Sequence, residues 1–224
     1  MNKVIEIKDL KLILGGQTIL NLPAFSVLRE ESISIMGPNG AGKSSLLLIM
    51  AALQEPTQGT VSYFGRKANN QTLLDVRRRM ALVFQKPMLL DGTVLDNVEA
   101  GLRFRHLDRK TREMRIHAAL DKLRISHLSR RRARSLSGGE AQRVALAQAL
   151  VLEPEIIYLD EPFANLDKDT RQDLMEEIRV VLRSQRITTV MVTHHRSEAE
   201  TMTDKIYYLE DGEIIGTESL NAES

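Results

Sequence analysis

Gly37-Pro38-Asn39-Gly40-Ala41-Gly42-Lys43-Ser44 stands between the apolar run Ile33-Ser34-Ile35-Met36 and a second apolar, helix-compatible run, Leu46-Leu47-Leu48-Ile49-Met50. The octet fits GxxxxGK[ST] at every position, in the order strand, glycine-rich turn, helix. That order suits an anion. Backbone N–H groups of the turn converge on one concavity and meet a helix N-terminus there. Glycines at 37, 40 and 42 admit backbone angles that a Cβ forbids and let the chain come close to phosphate oxygens. Lys43 then reaches the β- and γ-phosphates of a nucleotide, and Ser44 offers its hydroxyl to Mg²⁺, a hard cation that arrives with phosphates. The expected ATP-binding element therefore runs from Gly37 through Pro38, Asn39, Gly40, Ala41, Gly42, Lys43 and Ser44 to Ser45.

With 224 residues the chain suffices for one large domain, or for a core with a lobe inserted into it. Lys and Arg number 31 against 30 Asp and Glu, and aromatics make up 4%, so neither a global field nor stacking platforms favour nucleic acid. Cysteine is absent, which excludes disulfides and thiolate metal sites. No apolar run approaches a membrane span, and the N-terminus lacks a signal-peptide core, so a cytoplasmic chain is expected.

Residues 3–35 mix short β-type runs with turn signals at Gly15-Gly16 and Asn21-Leu22-Pro23. Another strand is expected over 59–65. From 86 to 145 the periodicity becomes helical: Val94, Val98 and Leu102, then Ile116, Leu120 and Leu123, recur at spacings of three and four. This reads as a helical lobe inserted into an α/β core. The basic clusters Arg77-Arg78-Arg79, Arg103 to Arg115 and Arg130 to Arg134 read mainly as solvated faces. Continuous apolar runs at 156–159 and 189–192 have the character of strands buried in a parallel sheet. Residues 206–209 and 213–215 flank Asp211-Gly212 as a hairpin, and the chain stops soon after, so no added regulatory domain is expected.

Asp160 and Glu161 end the run 156–159, which puts two carboxylates at the carboxyl end of a buried strand, where open α/β sheets bind ligands. Asp160 suits Mg²⁺, and Glu161 is placed to orient or deprotonate a water for attack on the γ-phosphorus. Leu136-Ser137-Gly138-Gly139-Glu140 precedes an amphipathic run, and a Ser-Gly-Gly opening a helix is a second potential anion site.

With these motifs together, the chain resembles the ATP-binding cassette family of transport ATPases over nearly its whole length. GPNGAGKS at 37–44, VFQKP at 83–87, LSGGE at 136–140, IIYLDE at 156–161, ANLD at 164–167 and VTH at 192–194 follow the family's order. The resemblance implies an α/β fold: a P-loop NTPase core with a parallel sheet and an antiparallel β subdomain (1–85 and 146–224), and an inserted helical subdomain (86–145). It implies that Gln85 senses Mg²⁺ and the attacking water, that Glu161 is the catalytic carboxylate, and that His194 contacts the γ-phosphate. Lys43 joins these as a catalytic group, while Ser44, Gln85 and Asp160 would hold the metal. Asp167 would lie at a dimer interface, and Ser137, Gly138 and Gly139 would complete the site of the other protomer in a head-to-tail homodimer enclosing two ATP molecules.

Four positions depart from the pattern. Leu14 stands where relatives carry an adenine-stacking aromatic, Glu140 where many have Gln, Asn165 where Ala is common, and His195 where Asp often follows the switch histidine. The resemblance implies an ATPase subunit, peripheral on the cytoplasmic face of the membrane, that drives separate permease subunits. The Gln85 segment and the helical lobe would form their docking groove. A single cassette with DEPF at 160–163 looks like an importer, with an extracytoplasmic solute-binding protein, and residues 83–105 look most like cassettes for tungstate, molybdate and related oxyanions. The alternative is a cassette driving a membrane complex of the cell-division or lipoprotein-release type.

Overall fold

The computed structural model describes residues 2–67, 69, 72–105 and 107–220. The chain opens with a long hairpin of β1 (Lys3–Leu14) and β2 (Gln17–Leu28), turned at Gly15-Gly16, whose positive φ values suit the tight turns that match strand twist. β3 (Ser32–Met36) leads through the glycine-rich loop into α1 (Lys43–Met50). Then come β4 (Gln58–Tyr63), β5 (Arg66–Lys67), α2 (Leu73–Arg78) and β6 (Met80–Val83). Three helices follow, α3 (Val94–Ala100), α4 (Arg109–Lys122) and α5 (Gly138–Leu150), and then β7 (Ile156–Asp160), α6 (Lys168–Ser184), β8 (Thr188–Val192) and α7 (Arg196–Met202). β9 (Lys205–Glu210) and β10 (Glu213–Ser219) close the described chain as the hairpin expected around Asp211-Gly212.

The strands form two sheets. One is antiparallel in the order β2-β1-β4-β5, and the other has six strands in the order β10-β9-β3-β8-β7-β6, parallel except for the terminal β10. The turn expected at Asn21-Leu22-Pro23 does not form, and the segment continues β2. Leu20 and Leu22 alternate into the core, and the strand lies at the sheet edge, where a proline without an N–H is tolerated.

Side chains of the parallel strands divide between two apolar cores. Ile156, Tyr158, Val190 and Val192 face the core shared with α1 and the antiparallel sheet, whereas Ile157, Leu159 and Met191 face the core shared with the helical segments. Both faces are covered, so these strands need an unbroken apolar run rather than alternation. The positions singled out by their spacing, Val94, Val98, Leu102, Ile116, Leu120 and Leu123, all lie in the second core. Most arginines of the basic clusters are exposed, as expected of solvated faces, and several also make defined contacts. Arg79 pairs with Glu155 at 2.5 Å and lies over the Phe64 ring, while Arg131 reaches Glu140 at 3.0 Å.

Two buried tyrosines hold the C-terminal end of α1. Tyr63 donates to Ile49 O and Tyr158 to Met50 O, both at 2.6 Å, satisfying carbonyls that a helix end leaves open. Burial pushes both phenols well above their ordinary range, so they remain donors. Tyr158→Phe leaves the Met50 carbonyl buried without this donor and is expected to lower the unfolding free energy by about 1–3 kcal/mol. Urea denaturation should show a lower midpoint with an unchanged slope, and an unmoved midpoint would remove this role from the hydroxyl.

Candidate active site

The register of the parallel ladder brings the chemistry together. Val83 pairs with Leu159, so Gln85 and Glu161, each two residues further on, emerge side by side. Asp160 pairs with Val192, which sets His194 on the neighbouring strand end, and Ile35 pairs with Val192 on the other side, which brings in the glycine-rich loop. Segments far apart in the chain, Ser44 and Asp160 being separated by 116 residues, thus meet at the carboxyl edge of one sheet.

In the loop, Gly40 and Gly42 adopt φ of 85° and 97°, as a Cβ-free turn requires. Gly37 has a different reason to be glycine than the backbone angle expected for it. A Cβ there would lie 1.9 Å from Leu209 O, so it is close packing under β9 that excludes a side chain. Gly42 caps α1, and among the described residues no acceptor meets the N–H groups of Gly40, Gly42, Lys43, Ser44 or Ser45. Buried Lys43 donates Nζ to Gly37 O at 2.9 Å and to Pro38 O at 2.8 Å. Burial lowers its pKa, while the charges of Glu161 and Asp160 oppose that shift. The loop therefore presents a row of free donors beside an ammonium folded onto its own carbonyls, an arrangement that fits phosphate oxygens.

Ser44 Oγ lies 3.4 Å from Asp160 Oδ1. Burial raises the Asp160 pKa, and the nearby charge of Glu161 adds to it, against the Ser44 hydrogen bond and Lys43. Among the described residues no three His, Cys, Asp or Glu side chains gather as a metal cage. One carboxylate, one hydroxyl and the Gln85 amide fit Mg²⁺, which usually keeps waters and phosphate oxygens as its other ligands.

The Glu161 carboxylate is held at both oxygens: Gln85 Nε2 donates to Oε2 at 3.3 Å, and His194 Nδ1 lies 3.2 Å from Oε1. Glu161 has a φ of 44°, a left-handed turn that ends β7, and its N–H donates to Val192 O. His195 stacks on His194 with ring centroids 3.9 Å apart. Asn165, one of the four departures from the family pattern, donates to Gln85 O at 3.4 Å and ties the Gln85 segment to the turn after Glu161. No motif spacing signals that contact.

Ser137, Gly138 and Gly139 line a cleft with Asn165 and Asp167, and Gly138 also borders the cavity that Gln85 lines. Ser137 caps α5: its hydroxyl accepts from Glu140 N, while Glu140 Oε2 accepts from Ser137 N at 2.7 Å. Glu140 thus has a structural task of its own, and Asp167 likewise caps α6. Leu14, at the end of β1, is 48% exposed.

A family model described as ABC transporter matches residues 20–164. The spermidine/putrescine import ATP-binding protein PotA of Bacteroides fragilis is 36% identical over 217 residues, covering 96% of this chain and 47% of that one. The tungstate uptake system ATP-binding protein TupC of Peptoclostridium acidaminophilum is 34% identical over 210 residues, covering 94% of this chain and 96% of that one. The chain spans about half the length of several curated relatives it matches, PotA among them. Among solved structures, the ATP-binding cassette MJ0796, dimeric in a post-hydrolysis state with ADP and Pi, superposes with a TM-score of 0.87 at 31% identity over 97% of this chain and 99% of that one.

Asp160 offers a direct test of the electrostatics. Because its folded pKa lies above the ordinary carboxylate value, ionisation costs stability as pH rises through that raised pKa. Asp160→Asn is expected to raise the melting temperature of the nucleotide-free protein at neutral pH, with the difference fading by about pH 3, below the carboxylate range. Thermal scans against pH would read this. A lower melting temperature at neutral pH would mean that attraction to Lys43 outweighs burial.

Proposed function

This chain belongs to the ABC transporter family, and from that premise we propose that it is the ATP-hydrolysing subunit of a membrane importer, working as a head-to-tail homodimer. The observation that carries the reading is Glu161, gripped at both oxygens by Gln85 and His194 beside a loop of free N–H donors. The N–H groups of Gly40 and of Gly42 to Ser45 receive phosphate oxygens, and Lys43 moves its ammonium from the loop carbonyls onto the phosphates. Ser44, Asp160 and Gln85 would hold Mg²⁺, which would supply neutralisation of phosphate charge. Glu161 orients a water for in-line attack on the γ-phosphorus and takes its proton while the bond to the β–γ bridging oxygen breaks and ADP leaves, and His194 donates to the γ-phosphate. Ser137, Gly138 and Gly139 act on the nucleotide of the partner chain. The cleft they line, which includes no residue of the phosphate loop, and the dimeric neighbour support this.

Permease subunits dock where the Gln85 segment meets the helical lobe. A cavity of about 430 Å³ there is lined by Gln85, Pro87, Leu90 and Ala133, with Met88 70% and Leu90 58% exposed beside it. Such exposed apolar side chains fit a partner's loop. Among the described residues no helix is long and apolar enough to cross a membrane, and the relatives named as import ATP-binding proteins support a peripheral subunit on the cytoplasmic face. The near-equal mutual coverage with TupC favours an oxyanion as cargo, selected by an extracytoplasmic binding protein and the permease rather than by this chain.

Glu161→Gln keeps the shape but loses the base, so kcat is expected to fall about 100- to 10,000-fold with ATP binding retained. Size-exclusion chromatography with MgATP should then reveal a trapped dimer, and turnover at the wild-type rate would move the catalytic role elsewhere.

The two-chain site has its own test. Lys43→Ala and Ser137→Arg are each expected to be inactive as homodimers. In a mixed dimer, one composite site pairs the intact loop of the Ser137→Arg chain with the intact signature of the Lys43→Ala chain. Mixing should therefore restore ATPase activity, up to about half the wild-type rate, over a background lowered by roughly 3–4 kcal/mol of lost stabilisation. Wild-type activity of Ser137→Arg alone would reject the shared site.

A further inference from the structure

Glu198, in the first turn of α7, carries a carboxylate that is 1% exposed and outside the phosphate site. Buried charges need partners. Its Oε2 accepts from Thr193 Oγ1 at 2.5 Å, while its Oε1 has no hydrogen bond and faces Arg171 Nε at 3.9 Å. That nitrogen is likewise without a hydrogen bond. Each is the other's charge partner, held just outside hydrogen-bond distance.

What each group grips on its far side gives the pair its interest. Arg171, in the first turn of α6, donates Nη2 to Leu166 O at 2.9 Å, within the segment that carries Asn165 and Asp167. Thr193 Oγ1, the donor to Glu198, accepts the N–H of His195 at 3.1 Å. That amide is the peptide link from His194, whose ring contacts Glu161. A continuous path therefore runs from the Leu166 carbonyl through Arg171, Glu198 and Thr193 to the backbone that aims His194.

We propose that Arg171 and Glu198 are positioning residues that transmit displacement of the Leu166–Asp167 segment to His194. The inference rests on the reading of that segment as the part of the chain that meets a partner protomer. The open 3.9 Å gap is the reason to assign a moving role rather than a static brace. A shift of Leu166 by a fraction of an ångström closes or widens a contact whose hydrogen-bonded form is charge-assisted. The path then pulls on the His194–His195 peptide without touching nucleotide.

The test uses the full chain labelled with ¹⁵N-histidine, with the His194 ring resonances assigned by their loss in His194→Gln. Arg171→Met is expected to shift those resonances in the nucleotide-free protein. It should also lower kcat by about tenfold, a typical coupling within one network, while leaving the dissociation constant for ATP within about twofold. Arg171→Lys separates positioning from support, and serves if the Met variant does not fold. It keeps a charge opposite Glu198, and with it the melting temperature, but lacks the second arm for Leu166 O. Low kcat with shifted His194 signals and a near-native melting temperature is the expected result. Wild-type kcat and unmoved His194 resonances in Arg171→Lys would overturn the proposal. Absence of MgATP turnover in the wild type would instead count against the functional reading, because the resonance shift is read without nucleotide.

Discussion

Everything at the candidate site depends on the register of one parallel ladder, β6 with β7, β7 with β8 and β8 with β3. Because Val83 lies opposite Leu159, and Asp160 and Ile35 both lie opposite Val192, the strands end in step and their next residues converge. Register is held by burial on both faces. Slipping β7 by one residue would send Ile157 and Leu159 into the core meant for Ile156 and Tyr158 and would carry Glu161 away from Gln85. Packing of apolar side chains is therefore what sets the distances within the candidate site.

That edge gathers groups that packing alone would not favour. Lys43 is buried against loop carbonyls, Asp160 has a raised pKa, and Glu161 takes a left-handed backbone angle. Each is a local cost that the surrounding core absorbs, as is common where strain and charge serve a ligand. The absorbing structure is visible in α1, whose N-terminus faces the expected phosphates while Tyr63 and Tyr158 fasten its other end.

The second glycine-rich motif teaches a different point. Ser137 and Glu140 form a reciprocal cap that starts α5 cleanly, and a cap is compatible with anion binding because it leaves the N–H groups of Gly138 and Gly139 outside the box. Structural and functional readings of such a motif are thus compatible within one geometry. Asn165 and Arg171 extend this logic, joining the turn beyond Glu161 to the Gln85 backbone and to the Leu166 carbonyl respectively.

The local chemistry was legible in the residues themselves. Glycines before Lys43, carboxylates closing an apolar run, and the four-residue spacing of Val94, Val98 and Leu102 all follow from short-range periodicity and backbone freedom, which a linear chain displays. Long-range placement did not, for physical reasons that differ case by case. Pro23 marks a turn by propensity, yet core burial of Leu20 and Leu22 holds it in an edge strand. Gly37 is required by the carbonyl of Leu209, a neighbour 172 residues later that only the sheet order supplies. Glu198 and Arg171 carry no motif signal, since what distinguishes them is burial and a 3.9 Å separation. Sequence alone determined which groups are available for phosphate chemistry and the class of fold that carries them. Tertiary structure decided which of them meet, because contact across strands depends on register and packing, and neither is written in any local stretch of the chain.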